Sequence, residues 1–197
     1  MEFGRNETKS IWLRLIPVIL IQYGLAGLGS TIVILHRREY FRDYGLNTHG
    51  TIISIVLSVA VFIPHLVFII FNGNVTNYMP FQGMFLTKTI LTQVFPLNIM
   101  GFILIGLVWG FFEGFNYVVI SKKINVRFSS QNTWLNWGAI VCAILCILIH
   151  GMIGFDFATL MEALTTFIFV YGILLIKDRT NNAWGIIFSF VFLWNAF

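Results

Sequence analysis

The chain has 197 residues, of which 58% are apolar and 10% charged, against about 45–50% and about 25% in soluble globular domains. With a mean hydropathy of +0.86 it carries more apolar surface than a soluble domain of this size can bury, which points to an integral membrane protein and excludes a soluble enzyme or a disordered chain. Cys142 and Cys146 are too few for a disulfide scaffold, and the net charge of +4 sits in short loops, where it reads as a topology signal and not as a nucleic-acid surface.

A hydrocarbon core about 30 Å thick needs roughly 20 apolar residues of helix. In chain order, such runs occupy residues 11–35, 52–71, 94–120, 134–153, 157–176 and 183–197. The first is interrupted by Arg14, Gln22 and Tyr23 and is too long for the apolar region of a signal peptide. Pro96 falls near the start of the third, where a missing N–H is harmless. The last has 15 residues, a reach of only about 22 Å, so it is expected to be short, half-buried or truncated. Residues 81–93 carry Phe81, Met84, Phe85, Ile90 and Leu91 with Lys88, the composition of an interfacial helix. With no repeat, linker or soluble segment, the expected fold is all-α, a single polytopic transmembrane bundle of about six spans over residues 1–197.

Lys and Arg set the orientation. Arg37, Arg38, Arg42, Lys122, Lys123, Arg127, Lys177 and Arg179 lie on one side, and Arg5, Lys9, Arg14 and Lys88 on the other. The richer side is expected to be cytoplasmic, with the N-terminus outside. Asn6 and Asn74 begin N-x-[ST] triplets, but the usage of Asn, Ile, Phe and Lys fits an AT-rich bacterial genome, so the expected location is a bacterial cell membrane and the triplets carry no meaning there.

Ionisable side chains at membrane depth are costly and need an internal reason. His65, Glu113, His150, Asp156 and Glu162 qualify, with Asn116 and Asn195 as neutral partners. Asp156 and Glu162 fall near the headgroups, and His65 follows Pro64, where an imidazole can satisfy the carbonyl that proline frees. Gly106, Gly110 and Gly114 form a smooth stripe on the helix of Glu113, fit for close packing against another helix, from within the chain or from a partner. Glu113 is then either a structural hydrogen-bonding group across that contact or a functional one. Cys142, Cys146 and His150 share one helix face, but three ligands spread over about 12 Å of one helix do not converge on one ion, so neither metal nor cofactor is expected. Counted from the cytoplasmic ends, Glu113, His150 and Asn195 fall about 14, 24 and 20 Å deep, which allows all three one layer.

At these residues the chain resembles the CPBP intramembrane protease family, which includes type II CAAX prenyl endopeptidases and bacteriocin-processing or immunity proteins. That family carries Glu-Glu-x-x-x-Arg on one helix, Phe-x-x-x-His on a later one, and His-x-x-x-Asn or Asp near the end. The first motif falls on Phe111 to Val118, with Glu113 at its first Glu, the second on Cys146 to His150, and the third on Val191 to Asn195, after the polar turn Arg179 to Gly185. Gly114, Val118, Cys146 and Val191 depart from the pattern, so Glu113, His150 and Asn195 are the positions that carry over. The resemblance implies hydrolysis of a membrane-embedded peptide or protein substrate. Glu113 would be the base, His150 its partner and Asn195 the oxyanion donor, with Asn116 and Trp109 touching substrate.

Two other functions fit the same residues. A small transporter or substrate-binding subunit would line a midplane pocket with Glu113, His150, Asn116 and His65. A non-catalytic interaction protein would offer the stripe Gly106, Gly110 and Gly114 to a partner helix.

Overall fold

Long runs of Ile, Leu, Val and Phe leave the backbone to satisfy its own polar groups, and in lipid that means helix. Every regular element among the described residues is helical. The computed structural model describes residues 4, 8–73 and 77–197; Asn6, Asn74 and Arg5 lie outside them.

The first run is two helices, α1 (Ile11–Ala26) and α2 (Leu28–Arg37), bent by 52°. Gly27 makes the bend, because a Cβ there would stand 2.6 Å from the Tyr23 ring. The hydroxyls of Ser30 and Thr31 donate to the Gly27 carbonyl at 2.9 and 2.8 Å, which keeps the bend supplied with hydrogen bonds. Helix α3 (Thr51–Phe71) runs unbroken through Pro64. A turn-rich stretch with one short helix, α4 (Thr87–Leu91), leads to α5 (Leu97–Ile105), a π-helical segment (Gly106–Phe112) and α6 (Glu113–Arg127). Then follow α7 (Trp137–Ile149), α8 (Phe157–Thr180) and α9 (Trp184–Phe192).

Helix α3, the composite Leu97–Arg127 and α8 are long and apolar enough to cross a membrane, and the bent pair α1–α2 meets the same test as one span. The runs expected at 134–153 and 183–197 are shorter helices, of 13 and nine residues, the second ending in a turn at Leu193 to Asn195. Asn136 caps α7, its side chain accepting the Ala139 N–H, and a turn at His150 and Gly151 closes it.

Residues 81–93 do not form an interfacial helix. Phe81, Leu86 and Ile90 are fully buried, packed with Leu15 and Ile105 inside the protein. Phe81 is left-handed at φ 60°, a conformation a bulky residue holds only under packing constraint. Its ring lies over Gly106 and Gly110.

Polar groups gather at the basic end. Asn182, fully buried, donates to the carbonyls of Asn47 and His49 at 2.9 Å each, pinning the α8–α9 turn to the α2–α3 loop. Lys122 reaches the Asp43 carbonyl, and Asp178 accepts from Asn125 and Asn136. The three loops expected on one side therefore meet at one end.

The interhelical contacts that set the centre of the molecule depend on missing side chains. A Cβ at Gly138 would lie 2.2 Å from the Ser121 carbonyl oxygen, so α7 approaches α6 backbone to backbone. One at Gly110 would lie 2.3 Å from Val191, and one at Gly114 3.2 Å from Phe190. The glycine stripe is thus filled by the chain's own α9 and Phe81, which leaves it closed to the partner helix considered from the sequence.

Candidate functional site

Glu113 is the first residue after the π-helical segment, sixteen residues from the start of Leu97–Arg127 and fourteen from its end. It is buried and points toward α1, where Gln22 Nε2 donates to its Oε2 at 3.1 Å. A π-helical turn widens the helix and rotates the residues that follow it, and here it immediately precedes the only carboxylate of the composite helix.

His150 closes α7. Its Nδ1 lies 2.9 Å from the Cys146 carbonyl oxygen. A carbonyl can only accept, so in the neutral ring that bond assigns the hydrogen to Nδ1 and leaves the lone pair on Nε2. Nε2 lies 3.8 Å from Glu113 Oε1, beyond direct hydrogen bonding and within the span that one water bridges. The Trp194 and His150 rings meet edge to face, with centroids 5.5 Å apart and planes at 84°.

Both groups line a cavity of about 390 Å³, together with Asn195, Asn116, Trp109 and Gln22. The end of α9 brings Asn195 there. The Asn195 carbonyl accepts from Gly83 N at 3.1 Å and the Ala196 carbonyl from Met79 N at 2.9 Å, so the stretch before α4 fixes the C-terminal turn. A second, more apolar cavity of about 260 Å³ between α1 and that stretch shares Gln22, Gly83, Met84 and Trp109 with the first.

The structure therefore brings together Glu113, His150, Asn195, Asn116 and Trp109. It does not bring His65, whose Nδ1 bonds Thr165 Oγ1 at 3.0 Å and whose ring stacks on Trp194. That bond, and not the carbonyl freed by Pro64, is its polar contact. Asp156 is exposed and caps α8, accepting from Thr159 N at 2.9 Å, which holds its carboxyl below the usual carboxylate range. Cys142 and Cys146 are buried between α7 and its neighbours, Cys142 Sγ donating to the Tyr117 carbonyl at 3.4 Å. Among the described residues no three His, Cys, Asp or Glu side chains group as metal ligands.

Gln22 and Gly83 also line the cavity, though neither is among the candidates named from the sequence. Gln22 left a signal, a carboxamide in an otherwise apolar run. Gly83 left none, since nothing local shows that the stretch before α4 folds back onto Asn195.

In comparisons with known proteins, no family model, curated protein or solved structure matches the chain.

Proposed function

We propose that the chain is a six-pass protein of a bacterial cell membrane and a divergent relative of the CPBP intramembrane proteases, hydrolysing a peptide bond in a membrane-embedded peptide or protein. The observation that carries this reading is the 3.8 Å approach of Glu113 Oε1 to His150 Nε2 in a cavity that Asn195 also lines. A water held between the two acceptors gives one hydrogen to each. Glu113 takes the proton as the water oxygen attacks the carbonyl carbon, and His150 Nε2 holds the other hydrogen and fixes the oxygen's direction. The Asn195 carboxamide donates to the developing oxyanion. Glu113 then returns its proton to the leaving amine. Asn116 and Trp109 flank the bound segment, and the apolar cavity beyond Trp109 takes a side chain next to the scissile bond.

The test is cleavage of quenched fluorescent peptides with an apolar segment by the full chain in liposomes. Glu113→Gln is expected to lower turnover by about 10²–10⁴, the usual worth of a general base. Cleavage that persists undiminished in that variant overturns the reading.

A second reading, a small carrier, is favoured by the break at Gly27, since discontinuous helices line the binding sites of many transporters and Gln22, Leu25 and Ala26 just before it line the cavity. A carrier moves a polar solute across the liposome without breaking a bond, so the same preparation separates the two.

A further inference from the structure

A second cleft lies at the end of α6 opposite Glu113. Where α2 and α6 end, a cleft of about 520 Å³ is lined by Arg37, Glu39, Lys123 and Arg127, with Val33 and Val126 as its apolar walls. Its charges are unequal in availability. Lys123 Nζ is held by both Glu39 oxygens at 2.5 and 2.6 Å. Tyr44 donates to the same carboxylate, and these bonds keep Glu39 below the usual carboxylate range and therefore ionised at neutral pH. Lys123 and Glu39 cancel, so the net charge of the cleft comes from the guanidiniums of Arg37 and Arg127, both exposed and carried by different helices.

Depth is marked independently. Tyr40, Phe41, Phe128 and Trp134 are large and exposed at the same end of the molecule, and exposed aromatics of this kind collect at headgroup level. Val126 continues the cleft wall outward as an exposed aliphatic surface, suited to an acyl chain and not to water. Arginine forks match phosphate oxygens in pairs. We propose that this cleft binds the phosphodiester headgroup of an anionic phospholipid from the leaflet at the basic end, with Arg37 and Arg127 on the phosphate and Val33 and Val126 along the first part of an acyl chain. A free phosphate offers the same oxygens without the chain, and the apolar walls favour the lipid.

The test is retention of phosphatidylglycerol by the full chain purified in a neutral detergent, titrated and counted by native mass spectrometry beside phosphatidylcholine. The expected result is saturable binding of phosphatidylglycerol over phosphatidylcholine, weakened about fivefold by Arg37→Gln or by Arg127→Gln. Arg42→Gln removes an equal charge outside the cleft and is expected to leave binding within twofold. Equal loss in Arg42→Gln makes the attraction diffuse and overturns the site, as does equal retention of both lipids. Displacement by inorganic phosphate at matched concentration overturns the lipid assignment, and failure of phosphate to compete supports it. All three variants change exposed side chains, and unchanged melting temperatures confirm that they fold.

Discussion

Trp194 touches two histidines that look alike in the sequence and sit differently in the fold. His65 lies against one side of the indole, ring centroids 5.3 Å apart and nearly parallel, inside a wall of Phe62 and Phe68. Its Nδ1 meets a hydroxyl that itself donates to the Met161 carbonyl, so the local polar groups close on one another. His150 meets the same indole at a steep angle but keeps 29% of its side chain exposed and turns a lone pair toward a carboxylate across a cavity. An imidazole at membrane depth is thus no evidence of function by itself. What separates the two is that His65 bonds a hydroxyl within the packed interior, whereas His150 lines a cavity that holds a carboxylate 3.8 Å from its Nε2.

The largest expected effect sharpens this contrast directly. His150→Ala is expected to cost about 10²–10⁴ in peptide cleavage, whereas His65→Phe, which keeps an aromatic ring against Trp194, is expected to leave cleavage within about twofold, because the Thr165 hydroxyl keeps its own acceptor on Met161 and only a hydrogen bond worth about 1 kcal/mol is lost. Initial rates in liposomes check both. Equal losses would mean that Trp194 couples the two rings and that the division is not real. Next in size, Asn195→Ala is expected to lower turnover by about 10²–10³ with little change in KM, the pattern of a group that acts in the transition state. An effect on KM alone would make Asn195 a binding residue only.

How far the sequence reaches follows the same division. Helices α3 and α8 fall almost where the apolar runs place them, because lipid exposure leaves composition as the governing variable and few side chains compete. Glu113 and His150 stand out for the same reason, as polar groups in apolar surroundings. The bend at Gly27 is not legible, since Gly24 and Gly29 lie in the same run and only Tyr23 and Phe112, packed at the bend, decide which glycine yields. The stretch 81–93 reads as lipid-facing because its apolar residues are plain in the sequence, while the surfaces that bury them, on α1 and α5, are tertiary. The glycine stripe is legible as an interface, but nothing local tells that α9 of the same chain fills it.

That filled stripe offers a way to disturb both histidines at once. Gly110→Ala places a methyl where Val191 Cγ2 now lies, 2.3 Å away, and is expected to destabilise the fold by about 1–3 kcal/mol through overpacking. Because Trp194 follows directly in the turn after α9, the strain reaches both rings. Adding Val191→Ala makes room and is expected to return part of the loss, a coupling that a denaturation double-mutant cycle reads out. Simple additivity would show that α9 does not rest on Gly110.

The smallest effect belongs to the turn that joins His150 to α8. Asp156 accepts the Thr159 N–H and hydroxyl at 2.9 and 2.7 Å, and these bonds hold its carboxyl below the usual range. A carboxyl depressed in the folded state adds stability that is fully present above its unfolded value, near 3.9 for Asp, and is lost as the pH falls through the folded value. Asp156→Asn keeps a capping oxygen without the charge, so it is expected to match the wild type closely at pH 7 and to lose less on acidification toward pH 3. Asp156→Ala loses the cap itself and is expected to melt slightly lower at every pH. Thermal melts of the three proteins across that range decide it: if Asn and Ala behave alike at pH 7, the hydrogen bonds to Thr159 contribute nothing, and the position of His150 above the cavity rests on the Cys146 carbonyl and Trp194 alone.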